Sequence, residues 1–197
     1  MIENSDEELI ARFQQGNSEA FEKLVGRYGT PLYRFIYRLL KDEGESQDLV
    51  QETFLQVYRN SSRYNPQYPF RVWIYSIASH LAINVLNSAR RRRLIFFWNK
   101  SEHDQDHDQE QGIFSQEEVA DTKKNPEEEL SHQQMCASIQ QAVNKLNPRQ
   151  KLALTLNKME GLSYKEIARI MDINLSSVES LIFRAKQKIQ QELNKKI

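Results

Sequence analysis

The chain has 197 residues, of which 39% are hydrophobic, and its 27 Lys+Arg balance 27 Asp+Glu to a formal net charge of zero. Six glycines and five prolines are too few for the many tight turns of a β-sandwich or barrel. The single cysteine, Cys136, excludes an internal disulfide or a multi-cysteine zinc site and is expected to fill a small core space. With no signal peptide and no apolar run of membrane-spanning length, we expect an all-α cytoplasmic protein without membrane insertion.

The net charge of zero hides three blocks of different sign. Residues 1–100 carry 14 Lys+Arg and 11 Asp+Glu, residues 101–130 carry 2 and 11, and residues 131–197 carry 11 and 5. The acidic block has little apolar content, so it cannot offset its own ordering entropy and is predicted to be flexible. We expect two helical domains, 5–93 and 127–197, joined by an acidic linker over 94–126. The two basic domains suggest a polyanion partner.

The first predicted helix begins at a capping box formed by Ser5 and Glu8. Apolar residues then recur at spacings of three and four, which indicates helices with one buried face. Breaks are expected at Gly16–Asn17 and at Gly29–Pro31. The apolar positions are Leu9, Ile10, Phe13, Phe21, Leu24, Val25, Tyr28, Leu32, Phe35, Ile36 and Leu39.

A second stripe, within 49–58, leaves a largely polar helix face that includes Asp48, Gln51, Glu52 and Gln56. The following loop, 63–70, combines aromatic, amide and basic residues. Exposed rings that stack on bases beside cations that hold the backbone are typical of single-strand binding. Core packing of Tyr68, Phe70 and Trp73 is the alternative.

The stretch 72–86 is apolar on most sides and predicts a well-buried helix. A few polar residues interrupt it, and four consecutive arginines follow, a cluster suited to phosphates. The polar positions are Ser76, His80, Asn84 and Asn87, and the arginines are Arg90, Arg91, Arg92 and Arg93.

The last third of the chain predicts four helices. The first two span about 127–146 and 149–158, and a capping box at Ser163 opens the third. A turn at 172–174 leads to a fourth helix capped by Asn174. Two short helices joined by such a turn form a helix-turn-helix, whose second helix enters the major groove of DNA. A helical pair without a DNA-binding role can share this spacing. The leading residues of the fourth helix are Ser176, Ser177, Glu179 and Ser180.

Three motifs, in this order, resemble the extracytoplasmic-function (ECF) group of bacterial sigma-70 factors. Asp48-Leu49-Val50-Gln51-Glu52-Thr53-Phe54 is similar to the family's polymerase-binding run D-L-V-Q-E-T-F. The segment 73–84 resembles W-L-Y-R-I-A-x-N-x-A-x-D, and 161–168 with 178–186 resembles the family's C-terminal helix-turn-helix. The resemblance covers nearly the whole chain apart from the linker.

The resemblance implies a role for each motif. The first would bind the β′ clamp helices of core RNA polymerase through Asp48, Gln51, Glu52, Phe54 and Gln56. The second would capture the melted −10 promoter element through Tyr64, Asn65, Tyr68, Trp73, Ser76, His80, Asn84, Asn87, Arg90, Arg91, Arg92 and Arg93. The third, beside the β flap, would read the −35 duplex through Ser176, Ser177, Glu179, Ser180, Phe183, Arg184 and Lys186.

The linker would thread the basic cleft of the polymerase, and an anti-sigma protein would mask the factor. Asn84 and Asn87 stand where the family often has Asp and Arg, and Glu179 and Leu181 replace two cations of its recognition helix. Glu179 is either an acceptor for a cytosine amino group or a surface charge. A stand-alone helix-turn-helix regulator and a sequestering protein are the alternatives. No cofactor and no catalysis are expected. His103 and His107 lie in the flexible acidic segment, which argues against a metal site.

Overall fold

The computed structural model describes residues 4–100 and 126–195, and the side chains of 4–88 and 135–195 within them. These residues form α-helices joined by short connections and contain no β-strand. The all-α prediction is therefore confirmed over this part of the chain. No helix in it is both long and apolar enough to cross a membrane.

The N-terminal unit contains four α-helices, with one turn of 3-10 helix (Ser61–Arg63) before the last. They are α1 (Asp6–Gln14), α2 (Ser18–Leu40), α3 (Glu43–Asn60) and α4 (Phe70–Lys100). The predicted capping box at Ser5 is confirmed, because the Ser5 hydroxyl accepts from Glu8 N and the Glu8 carboxylate accepts from Ser5 N. The Glu7 carboxylate on α1 accepts a hydrogen bond from Phe70 N at 3.0 Å. This contact gives a partner to one of the backbone N–H groups at the start of α4, which have no acceptor within the helix.

The predicted break at Gly29–Pro31 is wrong, because α2 continues through Pro31 to Leu40. Buried residues on both sides of the proline, among them Leu24, Tyr28, Leu32 and Phe35, lie on one face of this helix. Burying such a continuous apolar face contributes more than the lost backbone hydrogen bond costs.

The C-terminal unit also contains four α-helices. They are α5 (Pro126–Asn144), α6 (Pro148–Lys158), α7 (Tyr164–Ile170) and α8 (Leu175–Asn194). The predicted caps at Ser163 and Asn174 are confirmed: Ser163 forms a capping box with Glu166, and Asn174 Oδ1 accepts from Ser177 N at 2.8 Å. Gly161, with φ +66°, follows α6, a backbone conformation that glycine adopts without a Cβ penalty.

Two features of the central region differ from the sequence predictions. Helix α4 runs to Lys100, beyond the expected boundary at residue 93, while residues 101–125 of the predicted linker lie outside the described residues. Cys136 is exposed on α5, so its prediction as a core residue is wrong. His103 and His107 also lie outside the described part of the chain.

The two units pack against each other through α6 and α7, which contact α2 and α4. Buried apolar residues from both units form one continuous cluster that includes Phe35 and Ile74 from the first and Leu152 and Leu156 from the second. The surfaces that the sequence analysis singled out lie at the borders of this shared core.

Candidate nucleic-acid interface

Helix α3 presents a polar face, as its residue pattern predicts. Asp48 and Gln51 are exposed, and Glu52 and Gln56 are half-buried. Gln56 Nε2 donates to Glu52 Oε1 at 2.7 Å, one turn apart on the same face. Four of the five residues assigned to polymerase binding are therefore together on one accessible surface.

Phe54 is the exception, since only 8% of it is exposed. Its ring and that of Phe21 form a T-shaped contact at a centroid distance of 6.3 Å, so Phe54 belongs to the packing between α2 and α3. The same helix instead exposes Leu55 (47%) beside Asp48 and Gln51. The site assignment omitted Leu55, whose apolar side chain would lose water in a complex formed on this face. In the sequence, the sign of this exposure was that Leu55 does not belong to the apolar stripe within 49–58.

In the aromatic loop, Tyr64 does not offer its ring to a base. It is 6% exposed, packs against Phe70 and Trp73, and donates from its hydroxyl to the Tyr68 carbonyl at 2.7 Å. Burial, with the nearby carboxylates of Glu7 and Asp6, raises the pKa of Tyr64 to about 12. The buried ring of Tyr64 shapes the loop from inside, and its assignment to DNA stacking stays a prediction.

Tyr68 and Asn65 are the accessible members of the loop. Asn65 Oδ1 accepts from Gln67 N at 2.9 Å, and Tyr68 N donates to Asn65 O, which closes a tight turn. This turn projects Tyr68, 40% exposed, at the surface. Trp73 is half-buried against Tyr64 at a centroid distance of 5.2 Å. Of the aromatic residues assigned to the −10 element, Tyr68 is exposed, whereas Tyr64 is buried and Trp73 is half-buried.

Helix α4 carries the predicted polar positions on one face. His80, Asn84 and Asn87 are exposed and Ser76 is half-buried, and spacings of four, four and three align them. On the other side, residues such as Ile74, Ala78 and Ala82 are fully buried, which fixes the rotation of the helix. The four arginines 90–93 lie on the helical backbone of α4, and their side chains are outside the described ones.

The second helix of the helix-turn-helix exposes its predicted reading residues. Val178, Ile182 and Ala185 are buried, so the opposite side of α8 faces outward. Asp172 adopts φ +49° in the turn before it, a conformation that aspartate tolerates better than most residues. Ser177 is half-buried, and the exposed members of the set are Ser176, Glu179, Ser180, Phe183, Arg184 and Lys186.

A groove runs along the first two turns of α8. Arg149, at the start of α6, and Arg184 line it together with Ser176, Ser177 and Ser180. Two guanidinium groups and several hydroxyls form a set suited to phosphate oxygens. Arg149 was absent from the sequence assignment. In the sequence, Arg149 stands out only as a cation directly after the helix start at Asn147-Pro148.

The chain matches two family models. The model described as Sigma-70 region 2 covers residues 24–92, and the model described as Sigma-70, region 4 covers residues 136–189. The first contains α3 and the α4 face, and the second contains the helix-turn-helix and the groove.

Curated relatives match over almost the full length. The RNA polymerase sigma-H factor of Pseudomonas aeruginosa is 31% identical, over 98% of this chain and 96% of its own. The ECF RNA polymerase sigma-E factor of Haemophilus influenzae is 32% identical, over 96% and 95%.

Two solved structures share the fold. CnrH in complex with the cytosolic domain of CnrY has a TM-score of 0.64 at 22% identity, covering 97% of this chain and 98% of that one. The sigma factor RpoE of Bartonella quintana, in complex with the anti-sigma factor NepR, has a TM-score of 0.60 at 19% identity, covering 88% and 96%. On the two family models and the curated relatives, the chain belongs to the ECF sigma factors of the sigma-70 family and is a transcription initiation factor.

Proposed function

We propose that this sigma factor divides promoter recognition between its two units. The N-terminal unit, 5–93, binds core polymerase and captures the melted −10 element, and the C-terminal unit, 127–197, reads the −35 duplex. Residues 94–126 join them through the polymerase cleft. The observation that carries the proposal is the polar stripe from Ser76 to Asn87 along one face of α4, opposite its buried apolar residues, together with the exposed ring of Tyr68.

The exposed face of α3, with Asp48 and Gln51, binds the β′ clamp helices. Leu55 adds apolar area that loses water in the complex. The C-terminal unit contacts the β flap, so both units are anchored on the enzyme.

Strand capture combines stacking with phosphate contacts. A base that stacks on Tyr68 contributes roughly 1–3 kcal/mol, and amide and imidazole groups of the α4 stripe hydrogen-bond to unpaired base edges. Arg90–Arg93 hold the strand phosphates. These contacts stabilise the unwound promoter, while the polymerase carries out RNA synthesis. This chain acts in the cytoplasm and performs no catalysis of its own.

Reading of the −35 element uses the exposed side of α8. Arg149, Arg184 and Lys186 contact phosphates, and Ser176 and Ser180 reach base edges in the major groove. Glu179 either accepts from a cytosine amino group or lies at the rim as a surface charge. Exchange of Glu179 for Gln, with binding to a panel of −35 sequences as the readout, separates these two roles.

An anti-sigma protein is the expected inhibitor. Two proteins of the same fold were solved with partners: CnrH with the cytosolic domain of CnrY, and RpoE with NepR. Purification of the tagged factor from its native cells, followed by identification of stoichiometric partners, tests this. Recovery of the factor without such a partner at every growth stage would contradict it.

The experiment for the whole proposal is genome-wide run-off transcription with purified factor and sigma-free core polymerase. New start sites that share spaced −10 and −35 motifs are the expected result. The Asp48→Ala/Glu52→Ala variant, tested in parallel, should lose these transcripts. If the folded, inhibitor-free wild type yields no new start sites, the proposal is wrong.

A further inference from the structure

Helix α1 contributes no residue to the binding surfaces described above. It precedes residues 24–92, which match the Sigma-70 region 2 model. Its buried Leu9 and Ile10 anchor it on the N-terminal unit. Two of its polar side chains contact the chain on either side of the aromatic loop, so α1 is placed to hold this loop.

The first contact lies where the chain leaves α3. Gln14, the last residue of α1, donates from its Nε2 to the backbone carbonyl of Ser61 at 2.7 Å. Ser61 begins the turn of 3-10 helix that leads into the aromatic loop. The two residues are 47 positions apart in the chain, so this bond ties the entrance of the loop to a separate helix.

The second contact lies where α4 begins. The Pro69 carbonyl accepts from Val72 N and Trp73 N, so Pro69 occupies the N-cap position, but its ring offers no oxygen to the free N–H groups of the first turn. Glu7 of α1 supplies an acceptor for Phe70 N instead. A carboxylate is a strong acceptor at this place, because the start of a helix carries partial positive charge.

The neighbouring carboxylate holds the ring of the same phenylalanine. Asp6 accepts from the Tyr28 hydroxyl and pairs with Arg27 at 2.7 Å. The Tyr28 ring in turn packs against Phe70 at a centroid distance of 5.4 Å. The start of α1 therefore fixes both the backbone and the side chain of Phe70.

The contacts continue from Phe70 to the exposed ring of the loop. Phe70 is fully buried and packs against Tyr64 at a centroid distance of 5.9 Å. The Tyr64 hydroxyl donates to the Tyr68 carbonyl at 2.7 Å. A displacement of Phe70 would therefore move the support on which Tyr68 is presented.

The acidic first turn of α1 is unsuited to touching DNA itself. It carries Asp6, Glu7 and Glu8, and carboxylates repel phosphates. Each of the three accepts a hydrogen bond from a donor of the protein. These carboxylates therefore act on the conformation of the chain, and an effect of Glu7 on DNA has to pass through the loop.

We propose that α1 holds the aromatic loop at both ends and that Glu7 is a positioning residue for capture of the −10 strand. Gln14 fixes the entrance of the loop and Glu7 fixes its exit. The anchoring of the loop rests on these contacts, whereas its effect on the strand rests on the proposed function. A loop that is already held in place loses less conformational entropy when a base binds to it.

The anchor is measured on the free full-length factor by amide hydrogen exchange of Phe70, followed by NMR. Glu7→Ala removes the acceptor of this amide and should speed its exchange roughly tenfold. Glu7→Gln keeps a side-chain oxygen that can accept the bond and should lie close to the wild type. Glu22→Ala, which removes an exposed glutamate of α2, should leave the exchange of Phe70 unchanged.

The positioning role is measured on the holoenzyme by permanganate footprinting at saturating factor. Glu7→Ala should bind core polymerase like the wild type and reduce promoter opening roughly tenfold, and Glu7→Gln should restore most of it. In a Tyr68→Ala background, Glu7→Ala should have little further effect, because the ring that it positions is gone. A factor that is only destabilised would lose the same proportion in both backgrounds.

The outcomes separate the anchor from the proposed function. Equal exchange of the Phe70 amide in the wild type and in Glu7→Ala would overturn the anchor. Faster exchange with unchanged opening, or an equal loss of opening in both backgrounds, would overturn the positioning role. If the wild-type holoenzyme opens no promoter while exchange still distinguishes the variants, the proposed function is wrong and the anchor stands.

Discussion

Lys151 Nζ and the backbone carbonyl of Leu39 form a hydrogen bond of 2.8 Å across the junction of the two units, and the bond is buried. Burial first, and then the nearby Lys41, lowers the pKa of Lys151 from 10.5 to about 8. The cation is thus held in a place where its charged form is disfavoured. This makes the stability of the fold depend on pH.

The first prediction follows from that linkage. A lysine whose pKa is lower in the folded chain than in the unfolded chain destabilises the fold while it is protonated, and the cost falls as pH rises from 8 to 10.5. The full cost is about 3 kcal/mol, of which about 2 kcal/mol should disappear between pH 7 and 9.5. Denaturant unfolding of wild type and Lys151→Met over this range measures it.

In Lys151→Met, the free energy of unfolding should rise by about 2 kcal/mol less between pH 7 and 9.5 than it does in the wild type. Lys41 shifts in the same direction, because burial and Arg38 lower its pKa, so both proteins retain a small rise. If the free energy of unfolding changes with pH equally in the wild type and in Lys151→Met, the pH dependence does not come from Lys151.

The second prediction concerns the polar face of α3. Asp48→Ala combined with Glu52→Ala removes charges from an accessible surface and should weaken binding to core polymerase by roughly tenfold or more, with an unchanged melting temperature. Phe54→Ala should instead leave the polar face intact and lower the free energy of unfolding by about 3–5 kcal/mol, because its ring is buried. Titration of labelled factor with polymerase, beside thermal melts, distinguishes the two surfaces.

The third prediction contrasts the two tyrosines of the aromatic loop. Tyr68→Ala should reduce promoter opening by roughly 1–3 kcal/mol, the worth of one stacked base, with little change in stability. Tyr64→Phe removes the hydrogen bond to the Tyr68 carbonyl and should cost about 1 kcal/mol of folding stability. Permanganate footprinting of the melted strand and denaturant unfolding report the two effects. Normal opening by Tyr68→Ala would exclude its ring from strand capture.

The fourth prediction tests the arginine cluster. Arg90–Arg93→Ala should weaken promoter opening and reduce its salt dependence, by about 0.9 in logarithmic slope for each lost duplex phosphate contact or about 0.7 for a single strand. Promoter binding by holoenzyme measured between 50 and 200 mM salt (roughly the range over which such contacts are lost) gives the slope. A slope equal to that of the wild type would show that the cluster does not touch phosphates.

The fifth prediction concerns the groove on the C-terminal unit. Arg149→Ala should weaken binding to −35 duplexes of every sequence about equally, since a phosphate contact carries no base preference. Ser180→Ala should change the preference among sequences instead. Fluorescence anisotropy with a set of duplexes compares them. A change in sequence preference by Arg149→Ala would indicate that it reaches a base edge.

Local patterns predicted much of the structure. The caps at Ser5, Ser163 and Asn174 involve groups only three residues apart, so their residue types suffice to predict them. The exposed face of α4 follows from helical spacing in the same way. The accessibility of single site residues was harder to predict, because it depends on packing against other helices. Tyr64 and Phe54 are buried by rings from other helices, and Cys136 is exposed.

The sequence by itself determined the helices, their caps and the family, because these depend on nearest-neighbour spacing and on motifs read along the chain. Only the tertiary structure decided which side chains of the motifs are accessible and that the two units meet. Glu160 and Arg38 are 122 residues apart in the chain, and no local pattern relates them. Their contact arises because the apolar faces of α6 and α7 pack against α2 and α4. This packing brings the two charges together at the edge of the shared apolar core.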